Sequence, residues 1–175
     1  EPLADFFDIF YIGEGETVYN ELLDAYKENK KNGGTRQTFL EMAAEIEGLY
    51  VPAFYDVEYK EDGTILSFTP NNTHAKEKIR KQMVSDLSES SYPVKPVVPF
   101  IKVTQDRVVL EIMRGCIRGC RFCQAGMIYR PTREKNLEKL KDYAYQMLKN
   151  TGHEEISLSS LSSSDYTQLE GLVTF

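Results

Sequence analysis

Residues 106–134 read DRVVLEIMRGCIRGCRFCQAGMIYRPTRE. This stretch holds all three cysteines of the chain, Cys116, Cys120 and Cys123, inside eight residues with the spacing CxxxCxxC. Three thiolates so close together can converge on one metal centre. Three is one ligand short of a closed tetrahedral zinc site, whereas it suits a cubane cluster that leaves one iron open. Gly115 and Gly119 each precede a cysteine, so the backbone can bend tightly there and approach inorganic sulfur. Arg114, Arg118 and Arg121 surround the thiols with positive charge, which favours the thiolate form. Two alternatives stay open on spacing alone: zinc with a distant fourth ligand, and reactive thiols. His74 and His153 are the only imidazoles, and His153 lies about thirty residues downstream of the cysteines.

The odd cysteine count argues against disulfides. No run reads as a signal peptide or a membrane span, so an oxidising compartment is not indicated and a cytoplasmic protein is expected. The Asn71-Asn72-Thr73 sequon is then accidental. The chain has 175 residues, 27% of them charged and 41% hydrophobic, as in an ordinary globular protein. A net charge of −6 does not point to nucleic-acid binding by the chain as a whole. The charge is uneven, however. Residues 1–50 are acidic (Glu14, Glu16, Glu41, Glu45, Glu47), and residues 114–149 add Arg130, Arg133, Lys135, Lys139 and Lys141 to the arginines around the cysteines.

The cysteine stretch resembles the radical S-adenosylmethionine (SAM) enzymes, whose signature is CxxxCxxC with an aromatic residue before the last cysteine; Phe122 stands there. The resemblance is to the branch with an N-terminal cobalamin (B12)-binding domain. ADFFDIFYIGEGE resembles the end of that domain, and EISLSSLSSSDY resembles the second strand of the radical SAM barrel. The resemblance implies that Cys116, Cys120 and Cys123 hold a 4Fe–4S cluster whose fourth iron binds SAM. An electron taken from a reductant such as flavodoxin or ferredoxin then cleaves SAM reductively to a 5′-deoxyadenosyl radical. It also implies an adenine contact near Phe122, and contacts to the SAM amino group from Ser160, Ser162 and Asp165. Asp165 could equally cap a helix before Leu169. Methyl or methylthio transfer to RNA or protein is the kind of outcome implied, with the substrate and the catalytic residues left open. The branch's cobalt-ligating histidine motif is not in this chain, which leaves a cobalamin contact resting on the turn at Gly13. The competing readings are a structural zinc-binding module and an iron–sulfur electron carrier.

The fold class expected is α/β: a fragment joining the end of a Rossmann-like, cobalamin-binding-type domain (1–48) to the start of a partial TIM-type barrel (106–175). Residues 49–105 would form a hairpin, a helix and a Pro-rich connector. Such a fragment alone is expected to be inactive. Residues 6–12 read as a buried parallel strand, 13–16 as a tight turn, and 17–28 as a helix with Val18, Leu22, Ala25 and Tyr26 on its apolar face. A second helix spans 37–47, capped by Thr35 and stopped by Gly48. Residues 51–59 and 64–68 alternate around Glu61-Asp62-Gly63 as a hairpin. Residues 73–87 have helical spacing in Ile79, Met83 and Leu87. Pro93, Pro96 and Pro99 mark the connector. Strands are predicted at 107–113 and 155–161, flanking a helix at 136–150 with Leu137, Leu140, Ala144 and Leu148 inward.

Overall fold

Val108 and Leu110 face inward while Val109 faces solvent, the alternation of a strand with one covered face. They belong to the strand Val108–Glu111, which pairs in parallel with the strand Ile156–Ser159, from Val108 opposite Ile156 to Glu111 opposite Ser159. Parallel neighbours need a long crossover. Here the crossover contains the cysteine loop and the helix Leu137–Thr151. The computed structural model describes residues 2–175 and resolves into two compact units, Glu1–Val84 and Ser85–Phe175.

In chain order the strands are β1 (Phe10–Tyr11), β2 (Leu49–Tyr50), β3 (Tyr55–Tyr59), β4 (Ile65–Pro70), β5 (Val108–Glu111), β6 (Met113–Arg114), β7 (Arg133–Glu134) and β8 (Ile156–Ser159). The helices are α1 (Tyr19–Lys31), α2 (Arg36–Glu45), α3 (Ala125–Ile128), α4 (Leu137–Thr151) and α5 (Leu169–Val173). The result is a mixed α/β chain whose described strands form two-stranded sheets.

In the second unit α4 starts where Asn136 accepts hydrogen bonds from the amides of Glu138 and Lys139, and it stops at Gly152, which is left-handed at φ 76°. Its inward face is Leu140, Ala144 and Met147, with Leu137 and Leu148 packed at the margin. That face covers Val108, Leu110, Ile112 and Met113, and Tyr166 and Leu172 close the same core.

In the first unit Thr35 caps α2 reciprocally with Thr38. Leu40, Ala43 and Ala44 turn inward, and Val18, Ile46 and Leu49 complete one of the unit's two apolar clusters with Ala43. The hairpin β3–β4 forms around a turn in which Gly63 has φ 79°. Its aromatic residues Tyr55 and Phe68 stack at 4.8 Å, and Tyr50 packs on both.

Three sequence expectations are corrected. Residues 6–12 do not form a buried parallel strand: β1 is two residues long, it pairs antiparallel with β2, and Phe6 is 79% exposed. A buried parallel strand needs neighbours along its length and cover on both faces, and β1 has two paired positions. Residues 73–87 are not helical. Their main chain bonds elsewhere: the Gln82 amide donates to the Ile12 carbonyl, the Glu14 amide to the Gln82 carbonyl, and the Val84 amide to the Glu14 carboxylate. Met83 is exposed while Leu87 is buried, so the four-residue spacing marks no common face. The strand expected from residue 51 starts at Tyr55, because Pro52–Phe54 make a turn of 3-10 helix.

The Leu140 side chain is fully buried in the second unit's core. Leu140→Ala is expected to cost about 2–5 kcal/mol, read as a lower urea midpoint.

Candidate metal centre

β5 ends at Glu111, and one residue later β6 begins the approach to the cysteine loop. β6 pairs antiparallel with β7, with Met113 opposite Glu134 and Arg114 opposite Arg133. The loop 115–132 therefore leaves and returns at one point. Its first residue is Gly115, with φ 85°. A Cβ there would lie 2.7 Å from the Pro131 carbonyl oxygen and 2.8 Å from both the Thr132 Cα and the Tyr129 carbonyl oxygen. Only glycine fits the crossing of the two loop arms. The loop thus sits at the carboxyl end of β5, beside the carboxyl end of its parallel neighbour β8. That is the edge where parallel strand–helix units place their chemistry.

Cys116 and Cys123 are half-buried and Cys120 is exposed. Main-chain amides are aimed at two of the sulfurs: Arg118 N–H at Cys116 Sγ and Gly126 N–H at Cys123 Sγ, each at 3.4 Å. The Cys123 amide donates to the Cys120 carbonyl at 3.1 Å, which tightens the turn between the last two thiols. Gly126 is buried in α3, with Cys123 Sγ 3.8 Å from where its Cβ would be. These amides give two of the three sulfurs a main-chain hydrogen-bond donor. The donor set therefore fits a metal–thiolate site in its chemistry. Among the described residues, however, no group of three or more His, Cys, Asp and Glu side chains is gathered closely enough to hold a metal ion. Metal binding is coupled to closing the ligands around the ion.

The other sequence candidates form one connected set. Arg118, between the first two cysteines, makes a forked ion pair with Asp165; its Nε lies 2.8 Å from Oδ2. Ser162 Oγ donates to the same Oδ2 at 2.7 Å. Ser160 Oγ accepts from the Ser162 amide and lies 3.0 Å from Ser163 Oγ. Arg118 first, then Ser162, hold the Asp165 carboxyl below its ordinary range. Asp165 caps no helix at Leu169: it ends a short 3-10 turn, and the residue before α5 is Gln168. Phe122 is 92% exposed, so it does not pack into the core. His74 lies in the other unit, 2.7 Å from Glu45, and His153 Nδ1 is 4.0 Å from Asp106. The turn at Gly13 is engaged within its own unit, where Gly13 bridges to Gln82.

Sequence reasoning missed the groups at the base of the loop. The Lys135 side chain is fully shielded from solvent, and its ammonium lies 2.9 Å from Glu111 Oε2 and 3.9 Å from the centre of the Tyr92 ring. Arg114 Nε lies 2.8 Å from Glu111 Oε1. Tyr92 Oη donates to the Val109 carbonyl, accepts from the Glu111 amide, and its ring stacks on Tyr143 at 5.0 Å. Burial raises the Glu111 pKa, but the hydrogen bonds from Arg114 and Lys135 outweigh it and leave the group below its ordinary value. The one sequence signal was a glutamate inside the first predicted barrel strand, 107–113.

The comparisons with known proteins bear on the first unit most. A family model described as radical SAM proteins, N-terminal, matches residues 1–52, a stretch that stops well before the cysteines. That match supports the radical SAM superfamily. An uncharacterized protein of Methanocaldococcus jannaschii is 26% identical over 99% of this chain and 31% of its own length. The chain thus spans about a third of the curated relative it matches. No solved structure matches the chain. No helix among the described residues is long and apolar enough to cross a membrane.

Two outcomes are expected. Gly115→Ala forces a left-handed alanine against the Pro131 carbonyl; it should cost about 1–3 kcal/mol, seen as a lower unfolding midpoint. Glu111 has a depressed pKa in the folded chain, so its stabilisation is present above the ordinary carboxylate pKa and is lost as pH falls through the folded value. The stability gap between wild type and Glu111→Gln should therefore shrink steadily below about pH 5, measured by denaturant titration across pH.

Proposed function

We propose that the protein is a radical SAM enzyme in which Cys116, Cys120 and Cys123 hold a 4Fe–4S cluster. The observation that carries this reading is three thiols on one loop at the carboxyl end of β5, with amides directed at two sulfurs and the loop pinched shut at Gly115. The match over residues 1–52 supports it independently, since it falls on a different part of the chain. When bound, such a cluster supplies the electron that cleaves SAM reductively to methionine and a 5′-deoxyadenosyl radical.

The chain's own residues have separable parts in this reading. The amides of Arg118 and Gly126 stabilise sulfur charge. Asp165 and Ser162 offer acceptors for the SAM ammonium, and Arg118, now paired with Asp165, offers donors for its carboxylate. Binding of SAM at these groups means exchanging the Arg118–Asp165 pair for contacts to the ligand. Phe122, exposed on the loop, leaves its backbone and ring free to meet the adenine. A one-electron reductant such as flavodoxin or ferredoxin completes the chemistry. No cobalamin contact is assigned, because Gly13 and Glu14 are bonded to Gln82 and Val84.

The test is anaerobic iron–sulfur reconstitution of the full-length protein, followed by electron paramagnetic resonance of the reduced cluster with and without SAM. A 4Fe–4S signal that shifts on adding SAM and disappears in Cys120→Ala is expected. Stoichiometric zinc in place of iron would sink the reading and leave a structural metal module. A cluster signal indifferent to SAM would leave an electron carrier.

A further inference from the structure

The cysteine loop is fastened by a β6–β7 ladder of two residues on each side. A pairing so short is marginal by itself. Met113 packs into the core on one side of it, and beside that packing lies buried charge. Glu111, the last residue of β5, reaches both arms of the loop. Its Oε1 accepts from Arg114, the residue immediately before Gly115, and its Oε2 accepts from Lys135, the residue immediately after β7. Lys135 is held by its main chain as well: its amide donates to the Ile112 carbonyl, and its carbonyl accepts from Tyr166 Oη at 3.0 Å. Tyr92 covers the ammonium with its ring and fixes Glu111 through that residue's amide.

A methionine or leucine would fill the space of the Lys135 stem without the cost of burying a charge. An apolar contact is non-directional, however, and would let the returning arm slide along β5. An ammonium between a carboxylate and a ring face has one place to sit. Buried ion pairs are best attested as devices that fix register.

We propose that Glu111 and Lys135 are positioning residues for the three thiols. Their ion pair ties the entry of the loop to its exit and sets the arrangement in which Cys116, Cys120 and Cys123 meet a metal. What the thiols bind rests on the radical SAM reading; the tie itself rests on geometry alone.

The experiment uses full-length protein carrying Glu111→Gln with Lys135→Met, a pair that removes the buried ammonium together with its carboxylate and leaves Arg114 a neutral oxygen acceptor at position 111. Three quantities are read: the unfolding midpoint, amide hydrogen exchange of residues 115–132 without metal, and iron retained against a chelator after reconstitution. The double variant is expected to unfold within a few degrees of wild type, while its loop amides exchange at least tenfold faster and its iron is lost at least tenfold faster. Loop exchange and iron retention equal to wild type would overturn the proposal. If the double variant does not fold, Glu111→Asp keeps the charge paired but shortens its reach; about threefold faster loop exchange is expected, and unchanged exchange overturns the tie. If wild type itself takes up no iron, the radical SAM reading fails, and loop exchange in the metal-free proteins still upholds or overturns the tie.

Discussion

The Lys135 ammonium is fully shielded, and a charge in that position must be matched or the unit does not hold together. Losing one partner of such a pair typically costs about 3–5 kcal/mol. The match is Glu111 at 2.9 Å and the face of Tyr92 at 3.9 Å. Around these three residues the second unit is organised. Glu111 ends β5, Lys135 leads into the Asn136 cap of α4, and Tyr92 brings residues from the Pro-rich segment onto the strand. The strand, the crossover helix and the loop between them are therefore fixed at one point, directly below the cysteines.

Above that point the structure is open. Cys120 and Phe122 face solvent, and the sulfurs are set on a loop whose order comes from its base and from Arg118 reaching Asp165. This division suits a site that must gather ligands. The base limits where the thiols can go, and the exposed crown leaves them room to close. Arg118 also joins the carboxyl end of β8 to the middle of the cysteine motif, so the Ser160–Asp165 segment and the thiols share one charge network.

The first unit is held differently. Its two apolar clusters are small, and aromatic contacts among Phe10, Tyr50, Tyr55 and Phe68 carry much of the packing. Residues 82–84 bond along its glycine turn through Gln82 and Val84. A loop that sequence alone presents as a ligand cradle has its main chain and its Glu14 carboxylate partly occupied from within the unit.

Local spacing determined much of this chain. The thiol pattern, the Thr35 and Asn136 caps, the Gly152 stop, the β3–β4 hairpin and the apolar face of α4 are all legible because each depends on neighbours a few residues apart. The stop expected at Gly48 comes earlier: α2 ends at Glu45, where Ile46 turns extended at ψ 136°. Residues 6–12 and 73–87 were misread because their hydrophobic spacing is local, whereas their hydrogen-bond partners, Leu49–Tyr50 and Ile12–Glu14, lie tens of residues away. At the site, sequence singled out the cysteines, Phe122, Ser160, Ser162 and Asp165. Only the tertiary structure decided that Asp165 faces Arg118 and that Lys135, which looks like one more surface base, is buried against Glu111. A side chain's charge is written in the sequence, but its solvation and its partner are set by which distant segments fold over it.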